Sequence, residues 1–139
     1  MRHKLIAIAA TIAMTACDGA PPNEKILTGL CTDLFDGDAQ LIKVLVSDIN
    51  LTVPEFCGCY AKTILADPEK TALHKDAVNA IVEVRKAEGL GAEQAASKVE
   101  DMIKNGEIDT FNAEQLDSTG DDFQDIGEAF EDTGSCPAT

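Results

Sequence analysis

Apolar side chains recur at helical spacing along most of this chain. Ile26, Leu27, Leu30, Cys31, Leu34 and Phe35 predict an amphipathic first helix, with Asn23 as its cap and Asp36-Gly37-Asp38 as its stop. Leu41, Ile42, Leu45, Val46 and Ile49 continue the period in a second segment. The run from Leu41 to Val46 is β-branched enough for a strand, but its neighbours favour a helix. Thr52-Val53-Pro54-Glu55 is a capping box with proline in the first turn, and it opens a third helix carrying Phe56, Tyr60, Ile64 and Leu65. Asp67-Pro68 ends that helix and caps a fourth, with Leu73, Ala77, Ile81 and Val84 on one face and Gly89 at its left-handed end. A fifth runs from Gly91 to Asn105 with Ala95, Val99, Met102 and Ile103, and Gly106 ends it. Residues 107–119 predict a short helical turn within a loop, around Ile108, Phe111 and Leu116. Thr119 then caps a last helix carrying Phe123, Ile126 and Phe130. With no strand alternation and no internal repeat, the expected fold is all-α, a bundle of five or six short helices over residues 24–136 with a tail at 137–139.

The first residues break this pattern. In MRHKLIAIAATIAMTAC, Arg2 and Lys4 precede an uninterrupted apolar and small stretch from Leu5 to Ala13. That stretch is too short to span a bilayer, which takes about 20 apolar residues, and reads as a signal peptide over residues 1–16. Its end, Met14-Thr15-Ala16-Cys17, resembles the lipobox of bacterial lipoproteins. The resemblance implies cleavage before Cys17, lipidation of that cysteine with fatty acids such as palmitate, and anchoring to a membrane on its periplasmic side. Asp18 resembles the inner-membrane retention signal of enteric lipoproteins. Residues 17–23 then form a lipidated N-terminus and a tether that Pro21 and Pro22 stiffen toward polyproline II.

Composition narrows the partners. Of 139 residues, 45% are apolar but only 4% aromatic, with no Trp, so the core is expected to be built from Leu, Ile, Val and Ala with five Phe, a thin core of the kind that often needs cross-links. Asp and Glu number 25 against 11 Lys and Arg, a formal charge of -14. That charge argues against nucleic acid and anionic lipid as partners, and it favours a basic protein.

Beyond the leader, disulfides form and persist. With Cys17 assigned to lipid, Cys31, Cys57, Cys59 and Cys136 remain, an even number that suits two bridges. Residues two apart on an α-helix point about 200° apart, so Cys57 and Cys59 each need a separate partner. One reaches Cys31 and the other Cys136, in an order the spacing leaves open. Gly58 either lets another backbone approach between the bridges or is simply a tolerated small residue. Zinc wants wider spacing than Cys-x-Cys, and the Cys-x-x-Cys of redox and haem sites is absent, so no cofactor or metal is expected.

Other chemistry is sparse. His74, the one histidine beyond the leader, reads as a surface residue rather than a general base. Asp117, Thr119, Asp121, Asp125 and Glu128 match ligand positions of a calcium loop, but Asp122 stands where its turn glycine belongs. Asp101, Asn105, Gly106, Ile108 and Asp109 make a second partial match, lacking the final Glu. No nucleophile–base constellation is visible, so no catalysis is expected. The expected function is that of a lipid-anchored helical interaction or accessory module of the bacterial envelope. The alternative is an acidic ligand- or calcium-binding envelope lipoprotein.

Overall fold

The computed structural model describes residues 20–139, so the expectations for the signal peptide, Cys17 and Asp18 lie outside the described residues. Among the described residues the protein is all-helical, and two disulfides cross-link it. Helix α1 spans Pro22–Phe35, α2 Ala39–Lys43, α3 Val53–Leu65, α4 Pro68–Glu88, α5 Ala92–Lys104 and α6 Ala113–Thr133. The second segment does continue as helix rather than strand, but α2 widens into a π-helical turn over Val44–Ile49. That turn closes on Asn50 in the left-handed conformation, φ 57°.

Most helix ends lie where local chemistry puts them. Thr52 and Glu55 exchange capping bonds at α3, and the Asp67 carboxylate accepts from the Glu69 and Lys70 N–H groups at α4. Gly89 closes α4 in the left-handed region, φ 66°. Two expectations need correction. Asn23 does not cap α1, because Pro21 holds an extended φ, ψ of -52° and 148° and Pro22 is already the first helical residue, a position that suits proline. Asn23 instead accepts a hydrogen bond from Lys75 Nζ at 3.3 Å. Nor does Thr119 cap the last helix. Asn112 and Gln115 form a capping box seven residues earlier, and residues 107–111 carry no helical turn. Thr119 lies inside α6, buried, with its hydroxyl donating to the Gln115 carbonyl four residues back.

The core has two parts. Leu27, Cys31, Phe35, Leu45, Phe56, Tyr60, Ile64 and Ile126 fill one, between α1, α3 and α6. Leu34, Val78, Ile81, Val82, Val99, Phe111 and Leu116 fill the other, between α4, α5 and α6. Cys31 bonds Cys57 and Cys59 bonds Cys136, which settles the order of pairing. Helix α3 is therefore joined on one side to α1 and on the other to the C-terminal tail. At Gly58 no other group comes within 4 Å of where a Cβ would stand, so the glycine is a tolerated small residue and not a point of close approach.

Two charged side chains hold the helix junctions. The Arg85 guanidinium, 8% exposed, donates to the carbonyls of Asp33, Leu34 and Asp36 at the end of α1 and to that of Leu90. It satisfies acceptors that a helix C-terminus leaves without partners. Asp38 caps two helices with one carboxylate: Oδ1 accepts from Leu41 N at 3.1 Å and Oδ2 from Ala92 N at 2.9 Å. Burial pushes its carboxyl up, but the two N–H groups and the Arg85 charge outweigh that and hold it below the ordinary value.

Candidate functional site

An open cleft of about 910 Å³ lies between the turn after α2, α5 and α6. Its floor is apolar. Leu41, Leu45 and Ile49 come from one side, Ala92 and Ala96 from α5, and Leu116 and Phe123 from α6. The aromatic residues at its base are ordered by one another: Phe123 stacks on Tyr60 at 4.3 Å and on Phe56 at 6.2 Å, and Phe56 meets Phe35 edge-on at 5.5 Å. The turn packs against α6 at Gly127, where a Cβ would stand 3.4 Å from Ile49 Cδ1, at the edge of ordinary contact.

The rims are acidic. Glu93 and Glu100 border the cleft on α5, and Asp117, Asp121, Glu128 and Glu131 border it on α6, while no Lys or Arg lines it among the described residues. Lys104 pairs with Glu100 at 2.7 Å. The other five acids have no ion-pair partner among the described residues.

A polar chain that runs from the half-exposed Lys70 to the buried His74 and Tyr60 sets the position of α6 against α3 and α4. Lys70 Nζ donates to Asp122 Oδ1 at 2.5 Å, and Asp122 Oδ2 lies 2.9 Å from His74 Nε2. His74 Nδ1 lies 2.9 Å from the Tyr60 hydroxyl. The tautomer that satisfies every group has Nε2–H donating to the carboxylate and Nδ1 accepting from Tyr60. His74 is thus not a surface residue: its side chain is 0% exposed. Burial pushes its pKa down, the Asp122 carboxylate pushes it back up in part, and the ring stays below its ordinary value. Burial raises the Asp122 carboxyl, but hydrogen bonds from Lys70 and His74 outweigh it and hold it low. Burial and the Asp122 charge push the Tyr60 hydroxyl strongly up, so it stays a protonated donor. Asp122 and Phe123 are neighbours on α6, so the bonds that tie Asp122 to α4 also bring Phe123 onto Tyr60 and into the cleft wall.

The residues singled out from sequence fall in several places. Cys31, Cys57, Cys59 and Cys136 form the cross-links, away from the cleft lining. The first calcium-loop match is no loop: Asp117, Thr119, Asp121, Asp125 and Glu128 lie along the continuous helix α6, and Asp117, Asp121 and Glu128 border the cleft instead. The second match straddles the end of α5. Among the described residues no group of three or more His, Cys, Asp or Glu is placed to hold a metal ion. His74, Asp122, Asp38 and Arg85 escaped sequence reading as a working set. For His74 and Arg85 a signal existed, because Thr71, His74, Val78, Ile81, Val82 and Arg85 share one helical stripe and all are buried. The chain matches no protein-family model, no curated protein and no solved structure, so its functional reading rests on this geometry.

Proposed function

We propose that this protein is a lipid-anchored interaction module on the periplasmic side of a bacterial membrane, docking another envelope protein in the cleft. The cleft itself carries the reading: an apolar floor open to solvent, bordered by six acids of which only Glu100 has an ion-pair partner, and lined by no basic residue among the described residues. Such a surface is incomplete by itself and complete against a basic, partly apolar partner. The anchor is supported by the leader and by Met14-Thr15-Ala16-Cys17. No helix among the described residues is long and apolar enough to cross a membrane. In this reading lipid on Cys17 supplies the attachment. The two disulfides suit an oxidising compartment.

Site-specific photo-crosslinking in a bacterial host tests docking and anchor together. A crosslinker at Ser97, on the cleft border, should capture one discrete protein, and one at Asp76, exposed on α4 outside the cleft, should not. Cys17→Ser should move the chain from the membrane to the soluble periplasmic fraction. Equal capture from both positions, or none from Ser97, would sink the docking reading. An unmodified Cys17 in the membrane-associated protein would sink the anchor.

A further inference from the structure

We infer that the occupant of the cleft is a cationic amphipathic helix of the partner protein, its apolar stripe on the Phe123 floor and its Lys or Arg side chains against the α5 and α6 rims. This rests on the docking reading above and specifies its chemistry. Along α6 the acidic and amide residues bordering the cleft are Asp117, Asp121, Gln124, Glu128 and Glu131. Their steps of four and three residues keep them on a single face of the helix. From Asp117 to Glu131 that face runs about 21 Å at the α-helical rise, roughly four turns. Glu93, Ser97 and Glu100 repeat the same steps on α5. The cleft is therefore a trough with an apolar bottom and two charged edges. An amphipathic helix with basic flanks has the complementary section.

Other occupants fit less well. A second copy would set its own acidic rims against these, on a chain of formal charge -14. An anionic lipid surface is repelled for the same reason. No strand occurs among the described residues, so an extended peptide finds no sheet edge to pair with. Val44, 43% exposed on the cleft wall, offers an apolar contact to an occupant.

The test uses the mature, disulfide-bonded protein and synthetic helices of about 18 residues, long enough to follow the trough. One has Leu at i, i+3, i+4 and i+7 with Lys elsewhere. A second scrambles that composition, and a third replaces Lys by Glu. Fluorescence anisotropy should show the Leu–Lys helix binding, the scrambled peptide weaker by about tenfold, and the Glu peptide not binding. Asp121→Lys with Glu128→Lys should weaken binding by about tenfold or more, since each opposes a charge to its like. Asp76→Lys with Glu83→Lys makes the same change of net charge at the same spacing on α4, outside the cleft, and should cost much less. Ser97→Trp should obstruct the trough and weaken binding without any change of charge. Equal binding of the scrambled peptide, or equal losses from the two charge-reversal pairs, would show diffuse attraction and overturn the inference. If the protein captured from Ser97 contacts the cleft through an acidic or extended segment, the inference falls while docking stands. If Ser97 captures nothing, docking itself falls.

Discussion

At the scale of single residues, His74 shows how a bare identity misleads. A lone histidine between Leu73 and Lys75 reads as surface, yet it is buried with both ring nitrogens bonded. Its neutral ring ties stability to pH. The unfolded chain takes up a proton near 6.5, and the folded chain only at lower pH, because burial depresses the ring's pKa. Stability is therefore complete above about pH 6.5 and declines as pH falls below it. A second loss follows below 3.8, where the depressed Asp122 carboxyl finally protonates. Urea unfolding from pH 8 to 5 should show the first slope, and His74→Phe should flatten it. That variant should also cost about 1–3 kcal/mol, because it leaves the buried Tyr60 hydroxyl without a partner and the Asp122 carboxylate with Lys70 alone. A wild-type stability that is flat from pH 8 to 5 would contradict the neutral buried ring. Gly58 left two readings open, and the structure settles on a tolerated small residue. Nothing stands within 4 Å of its missing Cβ, so Gly58→Ala should stabilise the protein by about 0.5–1 kcal/mol, read as a raised melting temperature.

Helices are specified locally at their ends, but their junctions are not. Thr52, Asp67 and Gly89 act on their own helices, and each was visible in the chain. Asp38 caps α5 from 54 residues away, where Gly91 has no side chain to do so. Asp38→Ala should therefore remove two caps and cost about 1–3 kcal/mol in urea unfolding. Asp38→Asn, which keeps an acceptor for the Leu41 N–H, should cost less. Equal effects of the two would mean that charge rather than capping is what matters there. The start of α6 was misplaced because Thr119 resembles a cap, although it is a buried member of the face made by Leu116, Phe123 and Ile126. Asn112-Ala113-Glu114-Gln115 carried the correct signal in plain view.

For the molecule as a whole, the two disulfides differ in access. Cys31 and Cys57 are both 0% exposed, whereas Cys136 is exposed in the tail. Mild reductant followed by alkylation and mass spectrometry should open the Cys59–Cys136 bridge first and leave Cys31–Cys57 closed in a folded domain. Simultaneous opening of both would mean that reduction waits on global unfolding. Replacing Cys31 and Cys57 together by Ala should cost about 2–5 kcal/mol, a large share of the net stability of a small domain.

Periodicity, caps and an even cysteine count were enough to establish an all-α fold, most of its helix starts and the two-bridge framework with Cys57 and Cys59 facing apart. Those features depend on residues within a few positions of one another, or on the angular step of a helix. The order of the bridges, the polar chain from Lys70 to Tyr60, the shared cap at Asp38 and the acid-rimmed cleft depend on which helices meet. Asp117, Asp121 and Glu128 were noticed as a broken calcium loop; only the packing of α6 beside α5 and the turn after α2 makes them the edge of a groove. Helix packing, unlike helix formation, is decided by contacts between residues far apart in the chain, which one-dimensional spacing does not record.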